Sequence, residues 1–186
     1  MPDTLHDPGG RVSHRLPAGV EGYARYGGDR REYRYQVRYY VPELAGSSTL
    51  AVIMMNPSTA TEQQMDPTVA KCWRAAGRLG FRELLIGNVF AYRVTEQRRL
   101  AEIEDPVGPE NDDALANIAV MADAIVLAYG TPQVRDLHAR GTRVAMQLAA
   151  AGHKLSVFAL SKAGRPCHPL YLPEPLKLIP WEPPHE

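Results

Sequence analysis

Asn56, Asn88 and His168 carry side chains that can do chemistry, and each falls at or soon after the end of an apolar run. Asn56 follows one in Met54-Met55-Asn56-Pro57-Ser58-Thr59. Asn88 sits within another in Leu84-Leu85-Ile86-Gly87-Asn88-Val89-Phe90. His168 lies in Arg165-Pro166-Cys167-His168-Pro169-Leu170-Tyr171. An amide presents a donor and an acceptor together, and an imidazole exchanges those roles near neutral pH. At successive strand ends, two asparagines and a histidine would converge on one rim where a ligand can sit. Each also has a plainer reading. Asn56 before Pro57 can make a turn, His168 can be a solvated loop residue, and Asn88 can bracket two loops. A buried amide without partners costs about 1–3 kcal/mol, so turn propensity explains Asn88 least well.

The elements that must position these residues follow from hydrophobic period. Tyr33 to Val41 alternates, with Tyr33, Tyr35, Val37, Tyr39 and Val41 on one face and Arg34, Gln36, Arg38 and Tyr40 on the other, the pattern of a half-buried strand. Pro42 ends it, and Ala45-Gly46-Ser47-Ser48 reads as a turn. The continuous apolar runs 50–55, 84–90, 124–128 and 155–160 read as strands covered on both faces. Asp66-Pro67 reads as an N-cap with proline at the first helical position, opening a helix that lasts until Gly80. A second helix is capped by Asn111, and a third spans roughly 133–151. Strands alternating with helices imply a mostly parallel sheet between helical layers, and ligands in such sheets sit beyond the carboxyl ends of the strands. The proline-rich tail (Pro173, Pro175, Pro180, Pro183, Pro184) reads as an extended surface segment.

Composition bounds the rest. The chain has 186 residues, 45% hydrophobic and 23% charged, with 21 basic against 21 acidic side chains. It can bury a sizeable core, and zero net charge argues against bulk attraction to nucleic acid or anionic membrane. Two cysteines, Cys72 and Cys167, cannot supply a disulfide framework or a four-cysteine metal or iron–sulfur site. No apolar run is long enough to span a membrane. These features predict a soluble, cytoplasmic protein with a loose arm over 1–22 and one α/β domain over 23–186, with no cofactor, no metal, no membrane and no obligate protein partner.

Three further features have bland explanations. The stretch Tyr23–Tyr40 holds five arginines against two acids with tyrosines interleaved, a combination suited to phosphates and unpaired bases. Strand alternation already accounts for most of it, with the tyrosines buried and the arginines solvated. The acids between Glu102 and Asp113 read as a helix-terminal charge bias with solvated surface. Asp66 reads as a cap rather than a base, and adjacent Cys167 and His168 point apart.

The motifs MMNPST, DPTVAKCW, NVF followed by Arg93-Val94-Thr95, DPVGPEND and GRPCHPLY, in this order, resemble a bacterial family known as domain-of-unknown-function family 1643 (DUF1643). The resemblance covers roughly Tyr33 to Pro180. A more distant one is to the uracil-DNA glycosylase superfamily. There a first strand ends in a G-x-N-P-G or G-Q-D-P-Y type motif, a second in asparagine and a third in W-G, and an H-P-S-P segment follows the fourth. Met54-Met55-Asn56-Pro57-Ser58, Asn88, Tyr129-Gly130 and His168-Pro169-Leu170-Tyr171 take those places. Met54 and Ser58 stand for the flanking glycines, and Leu170 and Tyr171 replace the serine segment.

This resemblance implies a three-layer α/β/α sandwich with a mostly parallel four-stranded central sheet, plus an N-terminal antiparallel hairpin. It also implies a pocket for a flipped base. Asn56 would position water and His168 would steady the departing base as the catalytic residues. Asn88 would read the base edge, with Phe90 or Tyr129 stacking on it. Arg93, Arg165 and Ser58 are the candidates for phosphate. The expected activity is hydrolysis of an N-glycosidic bond to a damaged or modified base, as in DNA repair, with DNA or a modified nucleotide as partner. The alternatives are a non-catalytic module of the same fold that binds nucleic acid or nucleotide, and a transferase or hydrolase of free nucleotides.

Overall fold

The computed structural model describes residues 13–44 and 48–184. In chain order its strands and helices are β1 His14–Arg15, β2 Glu21–Gly27, β3 Tyr33–Tyr40, β4 Thr49–Met54, β5 Gln64–Met65, α1 Pro67–Arg78, β6 Glu83–Asn88, α2 Asn111–Met121, β7 Ala124–Leu127, α3 His138–Ala150, β8 Leu155–Val157 and β9 Ile179–Trp181. The main sheet has the order β2-β3-β6-β4-β7-β8-β9, and β1 pairs with β5 in a small antiparallel sheet. The four strands expected from the apolar runs, β6-β4-β7-β8, are neighbours and mutually parallel.

The sheet is wider than the four strands expected. The N-terminal hairpin β2–β3 adds to it antiparallel through β3 and β6. The tail, expected to run extended over the surface, is largely exposed and also supplies β9, antiparallel to β8 at the opposite edge. Pro180 is tolerated there because an edge strand leaves one row of backbone groups unpaired. Of the arm expected over 1–22, residues 1–12 lie outside the described residues, while His14–Arg15 pair with β5 and Glu21 opens β2. Of the turn read at Ala45-Gly46-Ser47-Ser48, residues 45–47 also lie outside them. Among the described residues no helix is long and apolar enough to cross a membrane.

Two cores follow from the strand pleat. Leu50, Val52 and Met54 of β4 pack with Val69, Cys72, Ala75 and Ala76 of α1 on one face. Ala51 and Ile53 pack with Leu115 and Ile118 of α2 and with Val144 and Leu148 of α3 on the other. A fully buried aliphatic side chain contributes roughly 1.5–3 kcal/mol, so these alternating positions fix the register of the central strands. Gly87 is needed where α2 crosses β6, because a Cβ there would meet Leu115 and Ile118 side-chain carbons at 2.8 and 2.9 Å.

Local signals account for the helix ends. Asp66 accepts the Val69 amide at 2.9 Å and Pro67 opens α1, as expected. Asn111 departs from its expected role. Glu110 is the capping position of α2 and makes no side-chain cap bond, while the fully buried Asn111 turns its amide inward. Its Nδ2 donates to the carbonyls of Asn88 and Val89 at 3.0 and 3.2 Å. Arg140 of α3 adds a bond from Nε to the same Val89 carbonyl at 2.9 Å. The end of β6 is therefore held by two helices, which satisfies carbonyls the sheet leaves open.

Candidate functional site

A cavity of about 1120 Å3 lies over the carboxyl ends of the parallel strands. Met54, Asn56 and Ser58 enter it from the end of β4, Val94 and Thr95 from the segment after β6, Tyr129 and Gly130 from the end of β7, and Cys167 and His168 from the loop after β8. Asp66 and Thr68 come from the start of α1. Arg34 comes from β3.

Arg34 was expected on the solvated face of its strand; the structure buries it, with 1% of its surface exposed. The cause is a β-bulge. Arg25 pairs with Gln36 but Tyr26 pairs with Arg34, leaving Tyr35 without a partner. One extra residue reverses the side-chain phase. Tyr35 joins Ala91 and Ala114 on the α2 side, and Arg34 moves out of the solvated row. Its Nη1 donates to the Ala60 carbonyl and its Nη2 to Asn88 Oδ1 at 3.3 Å, while Nε has no partner. Among the described residues no carboxylate lies within ion-pair distance of this guanidinium. Glu62, bonded by Tyr26 and Arg31, and Asp66, at the helix cap, act on it only through space. Burial pulls the Arg34 pKa below the ordinary arginine value.

Asn88 lies behind Arg34 and does not line the cavity. It is 1% exposed, its Oδ1 holds the guanidinium, and its Nδ2 is buried without a partner. The asparagine expected to read a base edge thus holds the arginine that does face the cavity. Asn56 lines the cavity with its Nδ2 tied to the carbonyls of Val94 at 2.6 Å and Pro57 at 3.1 Å. Those bonds commit the donor end of the amide and leave Oδ1 as its other functional atom.

His168 is brought to the same wall as Asp66. Its Nδ1 accepts the Leu170 amide at 3.4 Å, which places the ring proton on Nε2 in the neutral tautomer. Burial holds its pKa below the ordinary histidine value; Asp66 opposes that shift and Lys71 adds to it. Lys71, 9% exposed on α1, donates to the carbonyls of Leu170 and Leu172 and pins the turn that follows His168. Gly130 permits the close approach of this loop to β7. It has φ +69°, and a Cβ there would stand 3.2 Å from His168 Cβ.

The remaining expected residues separate into three groups. Ser58 lines the cavity, with Oγ 3.4 Å from Thr95 Oγ1. Tyr129 reaches the wall, but its ring is 5% exposed and lies where a Cβ on Gly141 would stand. Phe90 is core and does not line the cavity. Both residues are buried, and of the two Tyr129 reaches the cavity wall. Arg93 and Arg165 also miss the cavity. Arg93 donates to the Arg31 carbonyl at 3.0 Å and lies over the Tyr26 ring, and Arg165 faces a separate groove with Thr142 and Arg143 of α3.

The arginine and tyrosine content of β2–β3 is largely absorbed by the fold. Arg25 pairs with Glu110, Arg31 with Glu62 and Arg38 with Glu83. Arg25, Arg31 and Arg38 also lie over the rings of Tyr35, Tyr26 and Tyr40. Among the described residues no group of three or more His, Cys, Asp or Glu side chains is gathered to hold a metal.

A family model described as a protein of unknown function, DUF1643, matches residues 34–170. The chain belongs to the DUF1643 family. The matched span begins at Arg34 and ends beside His168, so the DUF1643 region encloses Arg34, Asn56, Ser58, Asp66 and His168. No curated protein and no solved structure matches the chain.

Proposed function

We propose that this chain recognises a nucleobase and hydrolyses the N-glycosidic bond that joins it to sugar, with a damaged or modified base as its target. The observation that carries this reading is the meeting of Asn56, Asp66 and His168 around one cavity over the carboxyl ends of four parallel strands. The motif order supports a uracil-DNA-glycosylase type of fold, with the first motif after β4 and the His-Pro motif after β8.

In the proposed step the C1′–N bond breaks with its electron pair leaving on the base nitrogen, and a water oxygen forms the new bond to C1′. His168 Nε2–H donates to the departing base and stabilises the charge that develops there. Asn56 Oδ1 accepts one hydrogen of the water and orients it. The water's other proton passes to Asp66, whose second carboxylate oxygen is not used by the helix cap. Asp66 thereby supplies the carboxylate that the first motif lacks, a task that capping logic alone does not suggest.

The test is base release from oligonucleotides and free nucleotides carrying uracil, hypoxanthine, xanthine or hydroxymethyluracil. Release should fall about 100-fold or more in His168→Ala and in Asp66→Asn. Release at the wild-type rate in both variants, or none from any substrate, would overturn the reading. The anchored Nδ2 of Asn56 favours a second reading, binding without turnover, since such an amide also serves as a structural bracket. Retained binding with no release would select it.

A further inference from the structure

We infer that the floor of the cavity is a phosphate-binding site centred on Arg34, and that it takes the terminal phosphate of a mononucleotide. The base and sugar of that ligand rest on the reading above; the phosphate site rests on Arg34 itself. A guanidinium has five N–H donors and keeps its charge in proteins. Here two bonds engage it, to Ala60 O and Asn88 Oδ1, and Nε is without a partner. A buried charge is costly unless it is paired, and Arg34 is 1% exposed, lines the cavity and has no carboxylate in ion-pair contact among the described residues.

One N–H each on Nη1, Nη2 and Nε is left over, and a guanidinium edge matches an oxyanion bidentately. A neutral base carbonyl would occupy one or two of them and leave the charge uncompensated. A phosphate monoester fills them and neutralises the charge. Ser58 and Thr59 line the same cavity next to Ala60, and their hydroxyls can serve the remaining phosphate oxygens. Depth then chooses between polymer and monomer. An internal phosphodiester continues as sugar on both sides and cannot reach a group so fully enclosed, whereas a terminal monoester enters end-on. Ser58 therefore keeps the phosphate role expected of it, and Arg34 takes the one expected of Arg93 and Arg165.

Calorimetric titration of the full chain tests this with inorganic phosphate, deoxyuridine, deoxyinosine, their 5′- and 3′-monophosphates, and a single-stranded oligonucleotide with no terminal phosphate. A monophosphate should bind at least about tenfold more tightly than its nucleoside, the least expected of a charge-assisted pair. Inorganic phosphate should compete, and the oligonucleotide should not. Arg34→Met should abolish the preference for the monophosphate and Arg34→Lys should reduce it. If Arg34→Met fails to fold, the wild-type comparison alone decides. Equal binding of nucleoside and monophosphate would overturn the phosphate site and leave the base reading standing. Arg34-dependent binding of inorganic phosphate, with nucleosides and nucleotides no tighter, would uphold the site and overturn the base reading. Binding of none of these probes would overturn both.

Discussion

β3 sends two arginines to the same neighbouring strand, β6, and the two ends of that contact differ in one respect. At the amino end of β6, Arg38 meets Glu83 through a fork, Nε to Oε2 at 3.1 Å and Nη2 to Oε1 at 2.8 Å, and Thr49 Oγ1 adds a bond at 3.1 Å. At the carboxyl end, Arg34 meets Asn88, an amide where the other end has a carboxylate. The first charge is closed by the fold and contributes to stability. The second is held in position without an ion-pair contact among the described residues, facing a cavity. An arginine paired inside the protein is architecture; one oriented by an amide keeps its charge for a ligand.

Removing the closed charge should have the largest effect. Arg38→Met leaves the Glu83 carboxylate buried and should cost about 3 kcal/mol in chemical denaturation. That is the low end for a buried pair, because Arg38 retains 31% side-chain exposure. Ligand binding should be unchanged. Asn88→Asp sharpens the contrast by making the open end resemble the closed one. It should stabilise the free protein by about 2 kcal/mol, raise its melting temperature, and weaken phosphate monoester binding at least about tenfold. Arg34→Met breaks the open end; it leaves Asn88 Oδ1 and the Ala60 carbonyl without this donor but also removes a buried charge, so its stability loss should be smaller than that of Arg38→Met. A loss at Arg34 equal to that at Arg38 would show that both arginines are architectural.

The smallest effect concerns His168. Burial depresses its folded-state pKa below the ordinary value, so the unfolded chain takes up this proton at higher pH than the folded one. The stability that depends on neutral His168 is full above the unfolded value. It erodes as pH falls from there through the folded value. Denaturation curves across that acidic window should therefore be flatter in His168→Gln than in wild type.

The comparison also explains what the sequence makes legible. The four parallel strands can be read because each is a continuous apolar run, and α1 because Asp66-Pro67 is a strong start signal. Placing motifs at strand ends makes Asn56, Asn88 and His168 converge; Asn56 and His168 line the cavity and Asn88 does not. Arg34 cannot be read this way, because one unpaired residue, Tyr35, inverts an alternation that otherwise assigns arginine to solvent. Asn88 can be read as a buried amide in need of partners, but not as the support of Arg34. Asn111 reaches the Asn88 carbonyl, and Arg140 that of Val89, only through the packing of α2 and α3. Phe90 and Tyr129 show the opposite limit, since aromatic rings near a strand end are as useful to a core as to a pocket. The tail became β9 because the open edge of β8 accepts a strand even when it contains proline.

The most direct measurement is the Arg34 Nε–H resonance during titration with inorganic phosphate, in wild type and in Asn88→Asp. The structure predicts a saturable shift of that resonance in wild type and its near loss in Asn88→Asp, where the carboxylate already occupies the guanidinium. A resonance that does not move in wild type, or that moves equally in both proteins, would contradict the claim that this charge is kept for a ligand.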